Sequence, residues 1–225
     1  MARFEIVLDT ETTGLDAAGQ DRIVEIGCVE LENHLPTGRT FHQYINPERD
    51  MPAEAFKVHG LSEAFLCQKP TFSEIAQKFL DFIDDRPLVI HNAEFDMAFI
   101  NAELKRIDCL EIPVSRTVDT LKIARDRFPG APASLDALCR RFGVDNSART
   151  QHGALLDSLI LAEVYLELAG GRQQALALHE RVQKKQKENI TEQKRLAPRP
   201  HSASDSELAE HMILIDRISN AIWRR

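Results

Sequence analysis

The sequence predicts an α/β protein: a mixed five-stranded sheet flanked by helices, followed by a flexible tether and a C-terminal helix. Three features of the pattern point there. Three strand-like runs come first with short, turn-rich links; strand and helix patterns then alternate; and the charged stretch after Gly171 breaks with both. The chain has 225 residues, 43% of them hydrophobic, enough for one domain of roughly 150 to 200 residues and a smaller appendage.

The opening strands are "FEIVLD" from Phe4, "RIVEIGCVELE" from Arg22 and "TFHQYIN" from Thr40, which their short links arrange as an antiparallel meander. Thr71 and Glu74 form a capping box ahead of "FSEIAQKFLDFI", whose apolar residues recur at helical spacing. A buried strand, "PLVIHN", ends at Asn92 and leads into the helix "AEFDMAFINAELKR". A short strand near "RTVDT", a helix from about Leu121 and another from Ser134 that Gly143 stops come next. The last long helix, "ALLDSLILAEVYLELA", closes at Gly170 and Gly171.

Residues 1–171 therefore read as the domain, 172–203 as the tether and 204–225 as a terminal segment. In that segment Ser204 and Glu207 form a second capping box, and Leu208, Met212, Ile215, Ile218 and Ile222 recur at steps of three and four. A lone amphipathic helix on a tether cannot bury its own apolar face, so the pattern calls for another protein.

The net charge is −7, unevenly spread. From Arg181 onward ten Lys+Arg stand against six Asp+Glu, a net +4 that leaves −11 on residues 1–180. An acidic domain is poorly suited to hold duplex DNA by phosphate neutralisation. Cys28, Cys67, Cys109 and Cys139 are far apart and make no CxxC pair, which argues against a zinc site or a disulfide framework. No window approaches a membrane span and the N-terminus enters a strand directly, so the expectation is a soluble, cytoplasmic protein.

Chemistry concentrates in "LDTETTGL". Asp9 and Glu11 are two apart on a strand and project to one side. Like charges held that close ask for a metal ion or a shared proton between them. Asp96 falls in the first turn of the helix after "LVIHN", outside the strand end, where α/β sheets tend to place ligands. Asp157 is an acid in the apolar run "ALLDSLIL". His152, five residues before it, would point about 140° away on an ideal helix; Gly153 instead places His152 in the loop leading in. Asp119 reads as a solvated loop acid, His59 and Gly60 as a turn near a substrate groove, His91 as a histidine satisfied by a backbone hydrogen bond, and Cys139 as a core thiol.

Taken together, "DTETTG", "HNAEFD" and "HGALLD" resemble the three motifs of the DEDD 3′–5′ exonucleases, in the branch with histidine in the third motif. The similarity runs on through "VHGL", "KPTF", "SLDALC" and "AEVYL", and extends to the proofreading subunits of bacterial DNA polymerase III. The resemblance implies a ribonuclease-H-like exonuclease fold. It makes Asp9, Glu11, Asp96 and Asp157 ligands of two divalent ions, Mg²⁺ or Mn²⁺, His152 the general base that takes a proton from the attacking water, and a nucleoside 5′-monophosphate the product. Hard cations take oxygen ligands, and two of them roughly 3.5 to 4 Å apart suit in-line phosphoryl displacement. By the same resemblance Thr12, Thr13, Gly14, Leu15, His59 and Phe95 would border the DNA 3′ end.

The resemblance further implies partners: the polymerase's catalytic alpha subunit for the terminal helix, with Trp223 as an anchor, a small theta-type subunit, and the sliding clamp. "QQALAL" resembles a clamp-binding peptide, in which Gln173, Leu176 and Leu178 would occupy the groove. Rival readings are a free-standing exonuclease trimming RNA or oligonucleotides, and a scaffold for the polymerase–clamp assembly.

Overall fold

The computed structural model describes residues 2–147, 151–171 and 202–218. The chain divides into two compact units, Met1–Ala177 and Leu178–Arg225. In the first, strands β1 (Phe4–Thr12), β2 (Ile23–Glu32), β3 (Leu35–Tyr44), β4 (Leu88–Ile90) and β5 (Thr117–Asp119) form one sheet in the order β3-β2-β1-β4-β5. β3, β2 and β1 run antiparallel, while β4 and β5 pair parallel to β1 and to each other. The expected meander and mixed sheet are thus observed.

Alternation along β1 sorts the two layers. Ile6 and Leu8, with Ile26 and Cys28 of β2, join a core that includes Phe72, Ile75 and Phe79 of α3 (Phe72–Ile83) and Met97, Ile100 and Leu104 of α4 (Ala93–Arg106). Val7, Val29 and Leu31 join Leu161, Ala162 and Tyr165 of the long C-terminal helix of this unit, Ala154–Leu168, on the other face. Residues of Thr120–Arg127 and Leu135–Phe142, the helices α5 and α6, pack with that long helix, hereafter α7, in a third cluster that includes the buried thiol of Cys139. The Thr71–Glu74 capping box is formed, and Gly143 ends α6 in the left-handed conformation.

Three features depart from the sequence reading. Ala53–His59 and Glu63–Leu66 are helices, α1 and α2, and Gly60 is the left-handed cap of α1 where the sequence reading has only a turn. β3 begins at Leu35, five residues before Thr40, and ends at Tyr44. It is an edge strand paired only with β2, and its first six residues are all exposed, so no apolar alternation marks its start.

One glycine sets how closely α7 approaches the sheet. Gly27 lies opposite Asp9, and a Cβ there would come within 2.2 Å of the Leu155 amide nitrogen and 2.3 Å of the Ala154 carbonyl carbon. The Ser158 hydroxyl donates to the Gly27 carbonyl at 2.9 Å, which closes the contact. On the other side of the sheet the buried carboxylate of Glu103 accepts from Arg22 at 2.6 and 2.9 Å and from Arg106 at 3.1 Å, tying the β1–β2 connection to α4.

In the second unit, Ser204 and Glu207 form their capping box and start α8 (Asp205–Arg217), on which Leu208 and Met212 are exposed, as is Ile218 just beyond it. Gln173, Leu176, Leu178 and Trp223, and residues 172–201 of the tether expected over 172–203, lie outside the described residues. No helix among the described residues is long and apolar enough to cross a membrane. Gly27→Ala is expected to lower the unfolding free energy by about 1–3 kcal/mol through overpacking, read as a shifted urea midpoint; an unchanged midpoint would show that α7 does not require the close approach.

Candidate active site

A cleft of about 310 Å³ opens where β1 and β4 end, and Asp9, Glu11, Asp96, His152 and Asp157 all line it. The five come from four places in the fold. Strand alternation sends Asp9 and Glu11 to the α7 side of β1, opposite Gly27 and Glu25 of β2. Asp96 is in the first turn of α4, and Asp157 in the first turn of α7. Gly153 is the residue before α7, so His152 does belong to the entering loop.

Local contacts fix each group. Asp96 is 3% exposed, and its Oδ1 accepts from the Thr10 amide at 3.0 Å and the Thr10 hydroxyl at 2.7 Å. Burial pushes its carboxyl up to about 7, against the pull of the Thr10 hydrogen bonds and with a smaller push from the Asp119 charge. Asp119 itself is outside the cleft lining. It caps α5, accepting from the Leu121 and Lys122 amides at 2.9 and 3.3 Å and from the Asn92 amide at 3.2 Å.

His152 is held from behind by α1. Its amide donates to the Val58 carbonyl at 3.2 Å, and the Gln151 side chain fills the space a Cβ on Gly60 would need. The imidazole is half exposed, with Nδ1 3.3 Å from Asp157 Oδ2. His59, the last residue of α1, is buried; its Nδ1 accepts from the Leu61 amide at 3.0 Å. Its Nε2 faces the Thr12 backbone, short of full hydrogen-bond geometry. Burial lowers the affinity of the His59 imidazole for a proton, and the neighbouring His152 adds to this.

The donor set fits hard divalent cations. Ligand atoms of Glu11, His152 and Asp157 lie within 4.8 Å of one another, and Asp9 and Asp96 add carboxylates to the same cleft. Glu11, Asp96 and Asp157 are each at most 7% exposed. Carboxylates withdrawn from water and placed side by side are costly as anions unless a cation joins them.

Of the residues expected to border a substrate, Phe95 lines the cleft and packs on Phe99 with ring centroids 5.0 Å apart. Thr12, Thr13, Gly14, Leu15 and His59 are not in its lining. The Thr12 hydroxyl donates to the Gly14 carbonyl at 2.6 Å, and that of Thr13 donates to Asp21 at 3.0 Å, so both shape the bend after β1. Gly14 admits the Asp21 carboxylate, which a Cβ would meet at 2.2 Å. Leu15 stands 86% exposed on that bend.

The cleft also contains residues that sequence reasoning missed. Ser134, Leu135 and Asp136 line it from the start of α6, and Thr10 and His91 from the strand ends. In the sequence Ser134 to Asp136 show only as the start of the helix "SLDALC". His91, expected to meet the backbone, bonds the Thr120 hydroxyl at 2.9 Å and also meets the Ala133 backbone.

Residues 6–165 match the exonuclease family RNase_T. DNA polymerase III subunit epsilon of Rickettsia conorii is 51% identical over 223 residues, covering 95% of this chain and 96% of the relative. The Escherichia coli protein of the same name is 45% identical over 239 residues, covering 98% and 97%. Among solved structures, exonuclease X in complex with 5′-overhanging duplex DNA aligns over 72% of this chain and 89% of its own at 26% identity, with a TM-score of 0.59. The nuclease domain of 3′hExo, a DEDDh family member bound to rAMP, shares the fold over 74% and 91% at 20% identity and a TM-score of 0.64. With the exonuclease match over most of its first unit and these relatives over nearly its whole length, the chain belongs to the DNA polymerase III subunit epsilon family.

Proposed function

We propose that the chain proofreads DNA synthesis, removing mispaired 3′-terminal nucleotides one at a time as 5′-monophosphates. The observation that carries this reading is the convergence of Asp9, Glu11, Asp96, His152 and Asp157 on one cleft in a member of an exonuclease family. The acidic charge of residues 1–180 fits the same reading: the polymerase brings the DNA, and the cleft needs to receive only a frayed single-stranded end.

Asp9, Glu11, Asp96 and Asp157 are the residues that would hold two divalent ions, Mg²⁺ or Mn²⁺. When bound, such a pair neutralises the scissile phosphate and stabilises the attacking and leaving oxygens of an in-line displacement. Asp157 orients the His152 imidazole through Nδ1, and Nε2 accepts the proton of the attacking water at the cleft mouth. Imidazole titrates near neutrality, which suits that transfer. The half-exposed ring and its loop position let His152 follow the substrate. Phe95, backed by Phe99, offers a ring on which a terminal base stacks, and Leu15 stands exposed beside β1 to part it from its neighbour.

Family membership also supports the assembly. Residues 1–171 form the nuclease, 172–203 tether it, and Gln173, Leu176 and Leu178 engage the sliding clamp. The segment 204–225 docks on the alpha subunit, where the exposed Leu208, Met212 and Ile218 find cover, and a theta-type subunit joins where one exists. The assembly is cytoplasmic.

Single-turnover digestion of a primer with a 3′ mismatch tests the chemistry. Divalent-ion-dependent release of single 5′-monophosphates is expected, abolished by EDTA and reduced to background by Asp9→Ala; faster cleavage of an RNA oligomer would favour the trimming enzyme, and no cleavage of either the scaffold. His152→Gln should slow the same assay by about 10²–10⁴-fold, the usual worth of a general base; a rate within twofold of the parent would remove His152 from that role. Gln173→Ala with Leu176→Ala is expected to weaken clamp binding by about tenfold or more, measured by surface plasmon resonance, while leaving hydrolysis of a free primer unchanged; unaltered clamp binding would place the contact elsewhere.

A further inference from the structure

Beside Glu11 is a second buried carboxylate that the mechanism above does not use. Glu25 of β2 is directly opposite Glu11 of β1 in the antiparallel ladder, so the two side chains leave the same face of the sheet. Glu25 is 3% exposed, and its Oε1 lies 2.7 Å from Nε2 of His42 on β3. The His42 ring meets Tyr44 edge-on at 4.8 Å, Tyr44 meets Phe65 of α2 in the same way at 5.0 Å, and the Lys69 ammonium sits 4.1 Å over the Phe65 ring. The imidazole that holds Glu25 is itself held by this stack.

For stability alone, a carboxylate is a poor choice at position 25. Like charges directly opposite destabilise a ladder, and burying a carboxylate costs more than burying an apolar side chain. The same face of β2 carries buried Val29 and Leu31 further along. At the cleft end, where cations would sit, the strand instead places an acid opposite Glu11 and gives it an anchored hydrogen-bond partner. We propose that Glu25, fixed by His42, is a positioning residue that places a second carboxylate behind Glu11 and so strengthens the cleft's hold on divalent cations.

This inference rests on the metal reading above, and the test separates the two. Mn²⁺ binding to the full chain is measured at pH 8 from the loss of the free-ion electron paramagnetic resonance signal, beside the unfolding temperature in EDTA. Glu25→Gln keeps the shape and still accepts from His42 but lacks the charge. Its Mn²⁺ affinity is expected to fall on the order of five- to tenfold, as loss of one nearby unit charge acting on a dication through a largely screened medium does. Its unfolding temperature should stay equal or rise, because the repulsion with Glu11 is gone. Glu25→Asp keeps the charge and withdraws it from His42, so affinity should stay within about twofold while the unfolding temperature drops. That opposite pattern is one a merely structural role does not produce. Parent-like Mn²⁺ binding by Glu25→Gln would overturn the inference. So would parallel loss of affinity and stability in both variants, or loss of affinity by Glu25→Asp if Glu25→Gln does not fold. A parent chain that binds no Mn²⁺ would overturn the metal reading together with it.

Discussion

Carboxylates crowded at the ends of β1 and β4 repel one another, and much of the surrounding structure serves to hold them there. The alternation of β1 puts Asp9 and Glu11 on one face. Gly27 lets α7 come down onto that face, which carries Asp157 to the same cleft. Thr10, on the opposite face of the same strand, holds Asp96 with its amide and hydroxyl. The end of α1 braces the loop of His152 through the Val58 carbonyl.

The fold treats its buried acids in two ways. Away from the cleft lining it supplies arginines or an imidazole: Glu103 has Arg22 and Arg106, Glu30 has Arg39 and Arg86, Glu5 has Arg3, and Glu25 has His42. Such pairs offset the cost of burial from within the chain. In the cleft, Asp96 has the neutral donors of Thr10, and burial still pushes its carboxyl up to about 7. Its ionised form therefore gains from a cation brought from outside the chain, which is what a metal site requires.

Much of this was legible in the sequence because the signals were local. The spacing of Asp9 and Glu11 fixes their shared face, a helix start after Asn92 fixes Asp96, and Gly153 separates His152 from α7. What was missed depends on packing between distant segments. Ser134 to Asp136 reach the cleft through the placement of α6, and β3 hides its start because an edge strand facing solvent shows no apolar alternation. Helix α1 has seven residues, too few to show a repeating apolar period, and its role as a brace for residue 152 depends on a contact that no local pattern encodes. The acid at 25 was visible, but its meaning depends on the register that sets it against Glu11.

The most direct test of the central claim is the stability of the chain against pH, in EDTA and in Mg²⁺, by urea titration from pH 5 to 9. The folded-state Asp96 carboxyl is raised from 3.8 to about 7. Between those values the unfolded chain has lost this proton while the folded chain retains it, so in EDTA this group lowers stability as pH rises, with its full cost reached above about 7. Mg²⁺ binds the ionised cleft and offsets that cost. The expected result is a stabilisation by Mg²⁺ that is small near pH 5, grows as pH rises to about 7 and levels off above it, and that Asp96→Asn largely abolishes. A gap between the two curves that is absent, or that neither changes with pH nor depends on Asp96, would contradict it.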